Sequence, residues 1–402
     1  MITPIGRLEE LRVSPKSNYR CFELSPNGLL YAAVTVSSVE IWSACCEVCL
    51  LAKCNQQRPS GYSKALLNRI FLLWNDASDM LVVIRSEGIA DFYMVSTQLT
   101  SLEDVYYDQE SPLYYSKASL KLCCSVNIEQ FGYPISACAI ENRVFVLSDN
   151  GILGELNWKG DRVGQSFSRF LQQTLSDAFP ACEKKSVECI ASSPELHCLA
   201  VALSDGNCLL LDMSQSPIGV SVFHTTLTES VRHMRFCSGL PALAVTSARM
   251  TVDIFRVKRS PSLSVLPLTS IDIRQFPSIS SNPLFAYDSI VSLSWCPRQL
   301  ILALGLRYQG VIVWSYSSGV LFTFHNKLSS ISDDSAREEV HCSGVVETSE
   351  VSCCCFAKTG ACLLFNIPFQ QVTSGADQQT YSRDSRLVVQ HFVVMSDTMV
   401  AT

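Results

Sequence analysis

The sequence holds 19 cysteines and 6 histidines, and their spacing decides what chemistry they can do. Cys46-Glu47-Val48-Cys49, with Cys45 and Cys54 beside it, has the spacing of half a tetrahedral zinc site. A structural zinc takes four ligands, usually as two such pairs, and no second Cys-x-x-Cys or paired histidine follows. Cys353-Cys354-Cys355 is contiguous, so on a strand its thiols alternate between faces and cannot converge. His197 and His233 fall at strand or turn positions. His224, His325, His341 and His391 have no carboxylate or cysteine spacing around them. The chain lacks a Gly-x-Ser-x-Gly elbow, a Walker loop and a His-Glu-x-x-His pair. Ser148-Asp149 and Ser204-Asp205 are of calcium-ligand type, but a hairpin turn explains them more simply. Arg256-Val257-Lys258-Arg259 reads as a solvated loop rather than a phosphate or anionic-lipid patch. These residues predict no catalytic centre, no cofactor and no metal, and therefore no enzyme.

The cysteines make better sense as packing. Cys138, Cys189, Cys198, Cys208, Cys237, Cys296 and Cys362 sit inside apolar runs, where a free thiol behaves as a small hydrophobe. That usage predicts reduced cysteines in a reducing compartment. Residues 1–10 carry charge and no apolar core of signal-peptide length, and no uncharged apolar run reaches 18 residues. A net charge of −6 lacks the basic field that nucleic acid demands. At 48% apolar residues, a large core can be buried.

The elements that position these residues repeat. Leu29 to Val34, a polar Ser37-Ser38, then Val39 to Trp42 form a strand, a turn and a strand ending in an aromatic. The pattern returns over Met80 to Tyr93, Arg143 to Trp158, Cys198 to Asp212, Pro241 to Phe255 and Gln299 to Trp314. A further strand precedes each unit: Tyr19 to Leu24, Ile70 to Trp74, Ile135 to Ile140, Val187 to Ala191, Val231 to Phe236 and Ile290 to Trp295. Asp-Gly and Asn-Gly turns join antiparallel strands because they tolerate positive φ. With a fourth strand in the variable segment, the unit is a propeller blade of about 40–45 residues plus insertions. Six units are clear, and a seventh is spread over Val351 to Phe356, Ala361 to Ile367 and Leu387 to Val394. Two sandwiches are the other all-β reading, and the regular three-strand units favour the ring.

The expected fold is therefore an all-β, seven-bladed, WD-like β-propeller with one helical insert between blades. The expected organisation is an amino-terminal extension over 1–18, the propeller over 19–370, and a flexible segment carrying the last strand of the closing blade over 371–402. The insert is Asp161 to Pro180, where Phe167, Phe170, Leu171, Leu175 and Phe179 recur at helical spacing. That face either packs on the propeller or docks a partner. Ser101 to Ser116 reads as an exposed, acidic and tyrosine-rich loop between blades, and Leu328 to Glu339 and Ser374 to Arg386 read as flexible polar segments.

Four segments in order carry a resemblance. They are Ser25 to Trp42; Pro134 to Gly160; Arg162 to Asp212 with its amphipathic insert; and Val291-Ser292-Leu293-Ser294-Trp295-Cys296-Pro297 followed by Gly310 to Ser315. Over most of its length the chain resembles the amino-terminal propeller of the Ric-one type subunit of the Golgi Rab guanine nucleotide exchange complex. Members of that family are much longer. The resemblance implies a scaffold subunit that activates a Golgi Rab GTPase with a second exchange-complex subunit, in retrograde endosome-to-Golgi traffic. It also implies a cytoplasmic protein with peripheral Golgi membrane association through the complex. No catalytic residue carries over. The alternative is a generic propeller adaptor in a vesicle-coat or ubiquitin-ligase complex.

Overall fold

The computed structural model describes residues 2–11, 19–35, 37–44, 48–56, 70–99, 116–164, 166–179, 186–227, 230–247, 250–259, 262–276, 288–297, 299–306, 310–325, 354–356, 362–375 and 378–394. Strands are numbered along the chain from β1 (Ile2–Glu10). Blade one is β2 (Tyr19–Leu24), β3 (Leu30–Thr35), β4 (Ser38–Ser43) and β5 (Leu50–Asn55). Blade two is β6 (Ile70–Trp74), β7 (Met80–Arg85), β8 (Ile89–Leu99) and β9 (Ser116–Asn127). Blade three is β10 (Pro134–Ile140), β11 (Arg143–Ser148) and β12 (Leu153–Asn157), followed by α1 (Ser166–Ala178). Blade four is β13 (Val187–Ser193), β14 (Cys198–Leu203), β15 (Asn207–Asp212) and β16 (Gly219–His224). Blade five is β17 (Val231–Phe236), β18 (Ala242–Ser247), β19 (Thr251–Arg259) and β20 (Leu263–Asp272). Blade six is β21 (Ile290–Trp295), β22 (Ile301–Leu306), β23 (Gly310–Ser315) and β24 (Gly319–His325). Blade seven is β25 (Cys354–Phe356), β26 (Cys362–Gly375) and β27 (Gln378–Val394), with β1 as its outer strand.

Each first strand lies beside the first strand of the next blade, and β25 returns to β2. The seven sheets therefore form one ring, a seven-bladed β-propeller. The sequence shows why. A strand covered on both faces reads as a continuous apolar run rather than an alternation. β3, β14, β18 and β22 are buried along their whole length, while the outer strand β16 alternates. Apolar clusters fill every seam between blades, the last of them joining Tyr31 and Trp42 of blade one to Cys355, Leu364 and Val389 of blade seven. The Ser204-Asp205-Gly206-Asn207 turn forms as its residues demand. Gly206 takes φ +81°, and the Asn207 amide donates to Asp205 Oδ1 at 3.1 Å.

The structure departs from the sequence reading in four places. Residues 2–10, read as part of an extension, form β1 and pair antiparallel with β27, Ile2 opposite Val394 and Glu10 opposite Val388. Pro4 and the register shift between Ile5 and Glu9 break the alternation that marks a strand, and both are tolerated at a sheet edge. Ser374 to Arg386, read as a flexible segment, runs through the β26–β27 hairpin. The polar residues of an outer hairpin look like a loop when no partner strand is visible. Arg256-Val257-Lys258-Arg259 ends β19 rather than forming a loop. Among the described residues blade three has three strands: the edge of β12 meets residues 161–163, through Asn157 N donating to Asp161 O at 2.9 Å and Val163 N donating to Glu155 O at 3.1 Å. The helix begins only after that stub. Of the loops read at Ser101 to Ser116 and Leu328 to Glu339, only Ser116 lies within the described residues.

Removing residues 2–10 should destabilise the ring by roughly 3–6 kcal/mol. That follows from six backbone register pairs at about 0.5–1 kcal/mol each. Denaturant unfolding of the full and shortened chains measures it. Equal midpoints would show that β1 does not hold the closing blade.

Candidate functional site in the central channel

The inner wall is built from the first strand of every blade. Neighbouring strands there are tied by side chains reaching across the seams. Ser136 Oγ donates to Ile190 O at 3.2 Å and accepts from Ile190 N at 3.0 Å. Ser192 Oγ donates to Ala139 O at 2.7 Å, and Ser294 Oγ accepts from Phe356 N at 2.9 Å. Two indoles do the same work: Trp74 Nε1 donates to Glu23 O at 3.4 Å, and Trp295 Nε1 donates to Arg235 O at 2.9 Å.

The two residues so anchored, Glu23 on β2 and Arg235 on β17, belong to blades one and five, with blades six and seven between them. Their side chains meet across the channel as an ion pair, Arg235 Nη2 donating to Glu23 Oε1. The pair is 36% and 22% exposed, so it is wet on one side. Beside it lies a cavity of about 370 Å³ that opens toward the turns joining first and second strands. Its wall includes Leu24, Leu73 and Phe236, and its rim includes Asp76 and Glu195. Glu195 is oriented by the next blade, accepting from Ser238 Oγ at 3.0 Å and Gly239 N at 2.8 Å.

The opposite end differs. Five inner strands shift register after their first pair, which displaces Arg20, Ile135, Glu188, Arg232 and Val291. Burial pushes the Glu188 carboxyl up, opposed by Arg232 and the Val231 amide. Among the described residues, Glu23, Asp76, Glu195 and Arg235 line the cavity at one end, and Arg20, Glu188 and Arg232 occupy displaced positions toward the other.

The thiols on this wall are poor nucleophiles. Burial pushes Cys138 up to about 12, and burial with Glu23 pushes Cys21 to about 12. Burial also raises Cys354 to about 11. Thiols so held stay protonated near neutrality, and the thiolate is the reactive and metal-binding form. Among the described residues no three His, Cys, Asp or Glu side chains come together as a metal site.

Sequence reading missed a set of buried carboxylates on third strands. Glu40 accepts from Tyr19 Oη at 2.9 Å, Ser38 Oγ at 3.1 Å, Trp42 Nε1 at 3.2 Å and Lys53 Nζ at 2.8 Å. Asp91 accepts from Arg85 Nη2 at 2.5 Å and Ser125 Oγ at 2.6 Å. Glu155 accepts from Arg143 Nη1 at 3.4 Å and from the Phe167 amide at 3.2 Å. Asp253 accepts from Thr226 N at 2.6 Å and Oγ1 at 2.7 Å. Each is the third residue of its strand, and that shared position in four blades was the available signal. At the rim of blade four, Asp212 accepts from Ser214 Oγ at 2.6 Å and Arg259 Nη2 at 3.1 Å. Burial alone would raise its carboxyl, but Ser214 and Arg259 outweigh burial and hold it below the usual range.

The helix side chains singled out by the sequence all face the seam between blades three and four. Phe167 and Leu171 are buried, and Phe170, Leu175 and Phe179 are half-buried against the same cluster. The Phe167 ring lies 5.0 Å from that of Phe145. None of the five reaches the channel lining.

No family model matches the chain, and no curated protein matches it. Solved structures do. Raptor of Chaetomium thermophilum aligns at TM-score 0.57 with 11% identity, over 97% of this chain and 29% of that one. The Cps50 (Swd1) β-propeller domain of Myceliophteria thermophila aligns at 0.57 with 10% identity, over 96% and 99%. The RRP9 WD40 repeats align at 0.57 with 11% identity, over 97% and 100%. At these identities the likeness is one of fold: a seven-bladed, WD40-like propeller.

Phe167→Ala should cost about 3–5 kcal/mol in denaturant unfolding, as expected for a buried phenylalanine. Phe170→Asp should lower the melting temperature if the helix face is structural. An unchanged melting temperature with a lost partner would make it a docking face. For Asp212 the native carboxyl lies below its unfolded value. Its contribution is therefore full above the ordinary carboxylate range and is lost as pH falls through the native value. Asp212→Asn should flatten the fall in stability below about pH 4, and an unchanged acid profile would remove Asp212 from the acid response.

Proposed function

We propose that the chain is a non-catalytic protein-interaction scaffold within a Golgi Rab guanine nucleotide exchange complex, acting in retrograde endosome-to-Golgi traffic. The observation that carries this reading is the build of blade three. The resemblance places an amphipathic insert after Trp158-Lys159-Gly160, and there the chain sets residues 161–163 against β12 and folds α1 onto the seam. The segments that carry the resemblance fall on blades one, three, four and six, so they are spread around the ring rather than confined to one hairpin. The partners in this reading are a second exchange-complex subunit and a Golgi Rab GTPase, with cytoplasmic placement and peripheral membrane association through the complex.

Exchange itself requires prying nucleotide and Mg²⁺ from a GTPase pocket by tight contacts to its switch regions. A ring whose polar groups are spent on its own seams contributes rigid surface to that task rather than a reaction centre. Fluorescent-nucleotide release from Golgi Rabs, with this chain alone and with the partner subunit recovered from cell extract, tests the proposal. The expected result is no release by the isolated chain and co-purification with an exchange subunit. Rapid release by the chain alone would overturn the scaffold reading. Recovery of coat or ligase subunits without any Rab would move the chain to the adaptor class.

A further inference from the structure

The outer hairpin of blade five projects past the rest of its sheet. β18 begins at Ala242, opposite Arg256, yet β19 runs on to Arg259 against β20 alone, with Lys258 opposite Ser264 and Arg259 opposite Leu263. Side chains alternate between the two faces of such a ribbon. One face is spent on blade four: Val257 and Leu263 are buried in that seam, and Arg259 Nη2 donates to Asp212 Oδ1 at 3.1 Å. The other face continues the row of Val252 and Ile254, which pack against blade six. It carries Arg256, Lys258 and Leu266, all exposed. Across the seam stands Tyr316, 49% exposed, with its ring 6.4 Å from that of Trp314. Trp314 belongs to the cluster between the two blades, where Leu240, Leu268, Leu300 and Val320 are only half-buried.

Neither wall of this groove supplies a carboxylate. The sequence holds no acidic residue from 254 to 271 or from 289 to 332. Asp253 is engaged with Thr226, Asp272 with Arg274, and Glu195 with Ser238 and Gly239 of the blade-five first turn. Within the ribbon the cation that finds a carboxylate is Arg259, and Arg256 and Lys258 carry no ion pair among the described residues.

We propose that the outer seam between blades five and six docks an extended segment of a protein partner in which carboxylates alternate with apolar residues. Arg256 and Lys258 stand two residues apart on one strand face, a spacing of ~6.8 Å. Carboxylates on alternate residues of an extended chain repeat at the same interval. The residues between them point the opposite way, toward Tyr316 and Val320 on the other wall. Charge thus selects the partner on one side of the groove and apolar burial holds it on the other. A membrane surface fits less well. Anionic-lipid patches draw on clusters of roughly four to eight basic residues, whereas here two cations line a recess between blades. The inference rests on the scaffold reading but not on which complex the scaffold serves, so its failure would leave the co-purification result standing.

The test uses the full chain and a fluorescein-labelled peptide of alternating leucine and aspartate. One control replaces each aspartate with asparagine, which keeps the shape without the charge. A second groups the aspartates at one end, which keeps the composition without the spacing. Fluorescence anisotropy at physiological salt reads the affinity. The alternating aspartate peptide should bind at least about tenfold more tightly than the asparagine peptide, which corresponds to ~1.4 kcal/mol, and more tightly than the grouped one. Arg256→Gln with Lys258→Gln should abolish the preference for aspartate. Tyr316→Ala should weaken both alternating peptides. Lys121→Gln, at an exposed cation on β9, should change nothing. Equal binding of the aspartate and asparagine peptides would overturn the proposal, and phosphatidylserine vesicles retained by Arg256 and Lys258 in that case would make the seam a membrane contact. A preference that survives the double variant, or one that Lys121→Gln also removes, would overturn it too. Thermal melting checks that each variant folds, and Arg256→Gln alone decides the matter should the double variant fail to fold.

Discussion

A ring of sheets has to close on itself, and here backbone pairing between the two ends of the described chain makes the closure. β1 completes the blade begun by β25, and every other seam depends on that joint. The reason is how the apolar surface is distributed. The core consists of clusters at the seams, each drawing side chains from two adjacent blades. A blade that swings out exposes two clusters at once. Holding β1 against β27 orders most of the chain between them, an entropic demand that grows slowly with loop length and is met by the summed burial around the ring.

The polar groups follow from the same constraint. Buried β-strands cannot leave charged groups without partners. The carboxylates of Glu40, Asp91, Glu155 and Asp253 each sit on a third strand and are 5% exposed or less. Each has a different solution: a tyrosine, a tryptophan and a lysine for Glu40, an arginine for Asp91, a helix amide for Glu155, a threonine for Asp253. The recurrent element is therefore the position, and the donors are local to each blade. In blade three the Phe167 amide joins Arg143 as donor to Glu155. Residues 161–163 meet the edge of β12, and the helix that follows supplies Phe167 and Leu171 to the seam. Gly154 answers a different neighbour, since a Cβ there would come within 2.4 Å of the Phe131 ring in the seam between blades two and three.

Much of this was legible in the residues. The second strands announced themselves as apolar runs, their turns as Asp-Gly and Asn-Gly pairs, and the insert as an aromatic stripe at helical spacing. What escaped did so for physical reasons. β1 contains a proline and a register shift, so it lacks alternation, and its pairing to β27 is visible only in three dimensions. The β26–β27 hairpin is polar where it projects, and local reading takes polarity for a loop. A glutamate or aspartate inside a strand resembles the wet face of an amphipathic strand, which hid the four buried carboxylates. Glu23 and Arg235 are ordinary charged residues on two inner strands far apart along the chain, and nothing local to either points at the other.

That ion pair ties together two blades that are not neighbours in the ring. Both partners are fixed through their carbonyls by an indole from the following blade, so their positions are set by the same seams that hold the ring together. A charge pair anchored this way joins blades one and five without a helix or loop to support it. Burial holds the thiols beside it protonated, so they pack there as small apolar groups.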